Sequence, residues 1–230
     1  MPASSSSPRP RARGPRRRLD LAQVVAAAIA RVDAGGPEAL SIRGVALDLG
    51  VMPNAIYTYV ADRAELEREI VDALLSRVDL RLLDGPAADW RARLVRYSLA
   101  LRTVLLAHPG AAVLFMSAPM TGAHALAVGE GLLAALVDAG LDDTAASRGE
   151  YLVFVYMLGS VALEIAETDG RPPLPPEPAR IAARRAAFAG IDAATHPITA
   201  RTTDVAAGWI SGEQFAWGLE RVLDGITAAR

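Results

Sequence analysis

The chain has 230 residues, 52% of them hydrophobic and 22% charged, which is enough apolar material for a sizeable core. It contains no cysteine, which excludes disulfides, thiolate zinc sites and cysteine nucleophiles, and its three histidines lack the spacing of metal ligands. The net charge of −2 is unevenly distributed, because residues 1–18 hold six arginines and no acid, whereas residues 19–230 carry a net charge of −8.

Residues 1–18 are rich in serine, proline and arginine, a composition typical of disorder, and we expect a disordered tail there. Its arginines predict a salt-dependent, nonspecific attraction to nucleic acid, although a passive extension is the open alternative. No apolar stretch that would act as a secretory signal follows them, and no uninterrupted apolar run of transmembrane length occurs in the sequence. We therefore expect a cytoplasmic protein without a membrane partner.

The next segment contains three predicted helices. An apolar stripe at helical spacing predicts a first helix from about Asp20 to the breaker Gly35-Gly36-Pro37. Two short helices follow, over about 42–48 and 52–59. This is the spacing of three consecutive helices in a small domain, which we place at residues 19–66.

The junction between the two short helices has the layout of a helix-turn-helix. Ser41 can cap the first of them, and Pro53 can occupy the first turn of the second. Gly50 lies in the turn, where a positive φ is needed. Ala46 is small and Ile56 is apolar, as the close crossing of two helices requires. These features predict a helix that enters the DNA major groove, and a generic helical hairpin is the alternative.

The rest of the sequence predicts more helices and no strand. Asp62, with Glu65 in the third position after it, begins a connecting helix that we expect to reach about Leu83. Further helices are predicted over about 89–107, 110–116, 122–139, 143–167, 179–189 and 211–228, with a proline-rich loop at 168–178. The expected fold is all-α, with a three-helix head joined by the connecting helix to a helical domain at residues 67–230.

The residues of the head resemble those of TetR-type regulators, which share a Tyr-x-aromatic pair followed by a basic residue and leucine, here Tyr57, Tyr59, Arg63 and Leu66. The second half is similar to the tetracycline-repressor branch at Asp89-Trp90, at the LLAHPG of 105–110 and at the FAWGLERVLDGI of 215–226. The resemblance implies a homodimeric transcriptional repressor or activator that binds a palindromic double-stranded DNA operator. It also implies a small-molecule effector, which binds in the body and changes the spacing of the two heads.

The dimer is expected to form through helices at about 143–167 and 211–228, as the resemblance implies. The near-continuous apolar run from Leu152 to Leu158 also predicts a helix buried around most of its circumference, either in an intrachain core or against a partner. Gly218 and Gly225 would let helix backbones approach closely.

The second helix of the motif can present few side chains to DNA. The residues expected to contact base edges are Arg43, Pro53, Asn54, Ala55 and Thr58, and those expected to contact the DNA backbone are Tyr57, Tyr59 and Arg63. Arg43 is the best candidate for direct readout, because a guanidinium can pair with guanine through two hydrogen bonds. Asn54 can read adenine or can cap the helix, and both roles stay open.

The effector is expected inside the body, in a mostly apolar pocket. The candidate lining residues are Tyr97, Leu101, Phe115, Met116, Ser117, Met120, His124, Phe154, Met157 and Glu164. We expect no metal and no cofactor, because Leu114 occupies the position of the histidine that ligates magnesium in the tetracycline-binding relatives. His108 is expected to have a structural role at a helix end.

Two rival functions can be weighed against a ligand-responsive repressor. A DNA-binding regulator could answer to a protein partner or to no effector, in which case the body would be packed solid. An all-α enzyme is disfavoured, because the sequence has no nucleophile–base set, metal cluster or phosphate loop. Its one acidic pair, Asp142-Asp143, has the position of a helix cap.

Overall fold

The computed structural model of the protein describes residues 19–228, and the tail predicted at residues 1–18 lies outside this range. Within it the α-helices are α1 Leu21–Gly35, α2 Ile42–Asp48, α3 Pro53–Ile56, α4 Arg63–Leu75, α5 Trp90–Ala107, α6 Pro109–Ala112, α7 Ala123–Asp138, α8 Asp143–Ala166, α9 Glu177–Ala187, α10 Pro197–Arg201, α11 Thr203–Ala207 and α12 Gly212–Ala228. Short 3-10 turns lie between several of them. Residues 19–228 contain no strand, so the predicted all-α fold is confirmed.

The head, α1 to α3, forms as the sequence predicts. Asp20 caps α1 in a capping box with Gln23, and the Ser41 side chain accepts a hydrogen bond from the Gly44 amide at the start of α2. Gly50 has φ +64°, a conformation that side chains disfavour. Val45, Ala46 and Ile56 are at most 1% exposed and form the centre of the head.

Three helices are shorter than predicted. The one predicted over about 110–116 is α-helical only as far as Ala112 and continues as a 3-10 turn over Val113–Met116. Helix α3 ends at Ile56 rather than near residue 59, because the chain tightens into turns after that residue. Helix α4 ends at Leu75 rather than near Leu83. Beyond Leu75 the Asp79 side chain accepts from the Arg81 amide and starts a separate 3-10 turn over Leu80–Leu83. This turn still buries Leu83, so the apolar spacing continues although the α-helix does not.

The body is a bundle in which α8 packs against α5, α7 and α12, and α4 packs against α1, α5 and α7. The two predicted dimer helices therefore contact each other within one chain. Gly218 of α12 lets the Tyr156 hydroxyl of α8 approach so closely that a Cβ there would lie 2.2 Å from it. This glycine thus allows close packing inside the chain, whereas Gly225 is exposed.

Helix α8 is long and apolar enough to cross a membrane, and so, taken together, is a bent pair, Ala87–Ala107 with Pro109–Met116. Such helices also occur in the cores of proteins that cross no membrane. In this bundle α8 packs against several neighbours and is partly buried by them.

Candidate functional site

Five of the eight predicted DNA-contacting side chains are exposed in the head. These are Arg43, at the start of α2, and Asn54, Tyr57, Thr58 and Arg63. Pro53, Ala55 and Tyr59 are half-buried. Met52 occupies the N-cap of α3 without a side-chain hydrogen bond, so Asn54 does not have the capping role that the sequence left open.

Two of the predicted phosphate contacts already have partners in the head. The Tyr59 hydroxyl donates to the Leu19 carbonyl. The Arg63 guanidinium donates to the carbonyls of Leu40 and Pro37, each at 3.1 Å, and to the Glu67 carboxylate at 2.7 Å. These contacts tie the start of α4 to the turn before α2. The phosphate role of Tyr59 and Arg63 stays a prediction, and Tyr57, 53% exposed, has the more accessible side chain.

A further arginine, missed from the sequence, holds the head together. Arg31 of α1 donates to the Ala39 carbonyl at 2.7 Å and to the Asp48 carboxylate at 2.8 Å. It lies across α2 at Gly44, where a Cβ would come within 2.3 Å of the guanidinium. Gly44 is the feature of the sequence that could have indicated this contact, because any side chain at that position would displace Arg31.

Two polar junctions join α1 and the connecting helix α4 to later helices of the body. In the first, Asp33 of α1 accepts from the Ala111 amide at 3.2 Å and contacts His108 Nδ1 at 2.7 Å, while Arg77 contacts the other ring nitrogen of His108. The His108 ring therefore joins α1 to the start of α6, which agrees with the structural role expected for it. Gly110 packs so tightly here that a Cβ would lie 2.3 Å from the Val32 carbonyl oxygen.

In the second junction, Asp72 of α4 caps α7. Its carboxylate accepts from the amides of His124 and Ala125 at 2.8 and 2.9 Å, and it contacts His124 Nδ1 at 2.9 Å. A Cβ at Gly122 would lie 2.2 Å from this carboxylate, so glycine makes room for it. His124 is thus bound at a helix end and does not line the cavity between α4, α5, α7 and α8, in contrast to its predicted pocket role.

A cavity of about 480 Å³ lies between α4, α5, α7 and α8, and we name it the effector cavity after the effector that the sequence predicts for the body. Four of the ten predicted pocket residues line it: Leu101, Met120, Phe154 and Met157. Leu75 of α4 also lines it, so the helix that joins head to body forms part of the wall. The sequence pattern missed the contribution of α7, which supplies much of the lining through residues 125–133.

The other predicted pocket residues lie elsewhere. Met116 lines a smaller, almost wholly apolar cavity of about 270 Å³ between α5, α6 and α8. Phe115 is buried and Ser117 exposed, and neither lines the two cavities. Tyr97 is fully buried, its hydroxyl has no hydrogen-bond partner among the described residues, and burial raises its pKa.

Glu164, predicted as a pocket residue, is instead held in a buried ion-pair cluster. Arg102 donates to its two carboxylate oxygens at 2.9 and 2.7 Å, and Arg180 donates to one of them as well. Arg102 also donates to Glu177 at 2.9 Å, and Glu177 accepts from the Gly212 amide. We call these four charged side chains the ion-pair cluster. It ties α5, α8 and α9 to the start of α12.

A long groove of about 700 Å³ runs between α8 and α12 on the outside of the chain. Leu152 and Val155, which line it, are 51% and 47% exposed, and Trp217 nearby on α12 is 60% exposed. Apolar side chains exposed along two neighbouring helices are typical of an association surface.

Asp142 caps the start of α8, as the sequence predicts. The described residues contain no cluster of side chains suited to hold a metal ion.

Comparison with known proteins agrees with this architecture. The sequence profile of the tetracyclin repressor-like, C-terminal domain matches residues 84–230. An HTH-type transcriptional regulator of Saccharopolyspora erythraea is 33% identical over 142 residues, which span 62% of this chain and 59% of that protein. The HTH-type transcriptional repressor DrrR1 of Streptomyces coeruleorubidus is 29% identical over 220 residues, 93% of this chain and 79% of that protein.

Among solved structures, the Streptomyces coelicolor TetR family protein ActR, in complex with (S)-DNPA, has the same fold. The two structures superpose with a TM-score of 0.76 and are 21% identical in sequence, and the match covers 94% of this chain and all of the ActR chain. The profile covers well over half of the sequence, and the helix-turn-helix precedes it in the expected place. The chain therefore belongs to the TetR family of transcription regulators.

Proposed function

We propose that the protein is a homodimeric repressor that binds a palindromic operator and is released from it by a small, mostly apolar ligand. In this proposal the chain consists of a tail at residues 1–18, a DNA-binding domain at 19–66 and a ligand-binding and dimerisation domain at 67–230. The observation that carries this proposal is the effector cavity, because α4 is both part of its wall and the link to the head. A regulator without an effector would be expected to have a solidly packed body.

On the DNA side, we propose Arg43 as the base-reading residue and Tyr57 as a phosphate contact, with Pro53, Asn54, Ala55 and Thr58 facing the bases. The support is that both Arg43 and Tyr57 are exposed and that neither side chain makes a hydrogen bond or ion pair with the described residues. Bound DNA selected from a random pool should contain a palindrome, because a twofold dimer reads two half-sites.

Arg43→Ala should weaken binding to that selected DNA by about 1–3 kcal/mol for each half-site, the usual discrimination by a bidentate arginine. Arg96→Ala is the matched control, since Arg96 is exposed on α5 in the body. Fluorescence anisotropy with labelled operator would measure both. Equal affinities of the Arg43 variant and the wild type would contradict the assignment.

Deleting residues 1–18 should flatten the salt dependence of the operator affinity if the tail contacts phosphates.

The dimer is proposed to form through the groove between α8 and α12. Val155→Glu would place a charge among apolar side chains and should shift the protein from dimer to monomer in analytical ultracentrifugation. Val137→Glu is the control, because Val137 is 46% exposed on α7, outside the groove. A Val155 variant that sediments as the wild type does would exclude this face.

The effector proposal is tested with the neutral apolar dye N-phenyl-1-naphthylamine, whose fluorescence rises in apolar surroundings. We expect the full-length protein to bind it and compounds that displace it to lower the operator affinity. If compounds that occupy the cavity leave that affinity unchanged, the regulator without an effector is favoured. ActR, crystallised with (S)-DNPA, and the repressor DrrR1 support a ligand-responsive repressor by likeness of fold and of sequence respectively.

The remaining expectations are part of the same proposal. A DNA-binding regulator acts where the DNA is, and we infer a cytoplasmic location. We also infer that the protein is not an enzyme and needs no cofactor, since its family acts by binding DNA and ligand. Leu114, 2% exposed in the body, supports an effector other than a metal-chelated tetracycline.

A further inference from the structure

The polar lining of the effector cavity is acidic. Among its fifteen lining residues are the carboxylates Glu130 of α7 and Glu150 of α8, and none of the fifteen is arginine, lysine or histidine. Most of the others are apolar, among them Leu101, Phe154 and Met157. Glu130 is exposed at the opening of the cavity and Glu150 is half-buried in its wall, so the two carboxylates give this side of the cavity a negative charge.

Glu150 is held in this wall without a compensating cation. Its Oε1 atom lies over the α7 backbone, 3.1 Å from where a Cβ on Gly129 would be, so the missing side chain leaves room for the carboxylate. Burial raises the pKa of Glu150, and the neighbouring Glu130 raises it further. Neither of these carboxylates makes an ion pair or a hydrogen bond within residues 19–228.

The buried carboxylate of Glu164 is, by contrast, paired with Arg102 and Arg180. Since a charge in a partly desolvated site is unfavourable without a partner, an unpaired carboxylate in a cavity wall indicates a partner that arrives from outside.

We propose that the effector is a lipophilic cation, that is, an apolar molecule that carries one positively charged group. This group would be a protonated amine, a quaternary centre or a delocalised cation. Its charged part would lie between Glu130 and Glu150, and its apolar part would pack against Leu101 and Met157. Tyr151 and Phe154 also line the cavity and offer aromatic faces, which attract cations. This inference rests on the proposed function, because it names the chemistry of the ligand for the same cavity.

A pair of probes matched in size and shape but opposite in charge separates this effector class from other apolar ligands. Tetraphenylphosphonium and tetraphenylborate are each titrated against the full-length protein loaded with N-phenyl-1-naphthylamine, and displacement of the dye is measured. We expect the phosphonium to bind at least about tenfold more tightly than the borate, because two carboxylates attract the one and repel the other in a medium of reduced dielectric constant.

Glu150→Gln keeps the size of the side chain and removes its charge. It should weaken phosphonium binding by about tenfold and leave the affinity for N-phenyl-1-naphthylamine unchanged, and Glu130→Gln should act in the same direction. Glu38→Gln is the control, an exposed carboxylate of the head that does not line the cavity, and it should alter neither affinity. Since Glu150→Gln removes an unpaired charge, its melting temperature should be no lower than that of the wild type.

The outcomes separate the two proposals. If the borate binds as tightly as the phosphonium, if neither binds, or if Glu150→Gln leaves phosphonium binding intact, the cationic effector is wrong. The proposed repressor would stand in those cases provided that neutral apolar compounds displace the dye and release the operator. If phosphonium binds as expected but no compound that occupies the cavity alters operator affinity, the ligand class holds and the release mechanism fails.

Discussion

Arg102 holds the ion-pair cluster together, and its removal should be among the most destabilising single changes in the body. Its guanidinium makes two hydrogen bonds to Glu164, whose side chain is 3% exposed, and one to Glu177. Arg102→Met preserves much of the side-chain length but leaves Glu164 with Arg180 as its one cationic partner in the cluster. Breaking a buried pair from one side costs about 3–5 kcal/mol, because the remaining carboxylate loses charged hydrogen bonds that compensate for its desolvation.

For a chain of this length, each kcal/mol of destabilisation lowers the melting temperature by about 2–4 °C, so Arg102→Met should lower it by about 6–20 °C. Thermal unfolding followed by far-ultraviolet circular dichroism measures this shift. Arg96→Met is the control on the same helix, and because Arg96 is exposed it should stay within about 0.5 kcal/mol of the wild type. A loss below about 1 kcal/mol for Arg102→Met would refute the reasoning.

The same variant has a predicted pH dependence. Burial raises the pKa of Glu164, although Arg102 and Arg180 act in the opposite direction, and losing Arg102 should raise it further. A carboxyl with a raised pKa in the folded state favours folding while it is protonated, and this contribution is lost as the pH rises through that pKa. The deficit of Arg102→Met relative to the wild type should therefore be smaller in acid than at neutral pH. The double variant with Glu164→Met should cost less than the sum of the single variants.

Three further changes follow from the structure, each measured by chemical denaturation. Tyr97→Phe should stabilise the protein by about 1 kcal/mol, since it removes a buried hydroxyl that has no partner among the described residues, and a loss of stability would show that the hydroxyl is bonded. Gly50→Ala should destabilise it by about 1–2 kcal/mol, because φ is +64° there, and a neutral effect would contradict that conformation. Asp72→Ala should cost about 1–3 kcal/mol through the lost cap of α7, whereas Asp72→Asn should retain part of the cap; equal losses would argue against a capping role.

The head was predictable from the sequence because its signals are local. A cap at Ser41, a glycine with positive φ at Gly50 and the early proline of α3 act within a few residues of each other, so no knowledge of distant packing was needed. The end of α4 was not predictable in this way. Apolar spacing persists to Leu83 in both an α-helix and the observed 3-10 turn, and periodicity alone does not separate them.

The effector cavity was predictable only in part. Leu101, Phe154 and Met157 stand out because they lie on long apolar helices, but so do many core residues. Glu130 and Glu150 resemble surface carboxylates in the sequence, and only the packing of α7 against α8 brings them to one cavity wall. The sequence wrongly predicts Glu164 as a pocket residue, because its partners Arg102 and Arg180 are distant along the chain. Their pairing with Glu164 cannot be recognised from the sequence.

Helix α8 has the effector cavity on one side and the exposed groove with α12 on the other. Phe154 and Met157 line the first, and Leu152 and Val155 line the second. Within the proposed dimer, any movement of this helix on ligand binding would thermodynamically link cavity occupancy to subunit affinity. By reciprocity, a ligand that weakens association by a given factor binds the dimer less tightly than the monomer by that same factor. The apparent affinity for the effector would then vary with the concentration of the protein itself, which a dilution series would reveal.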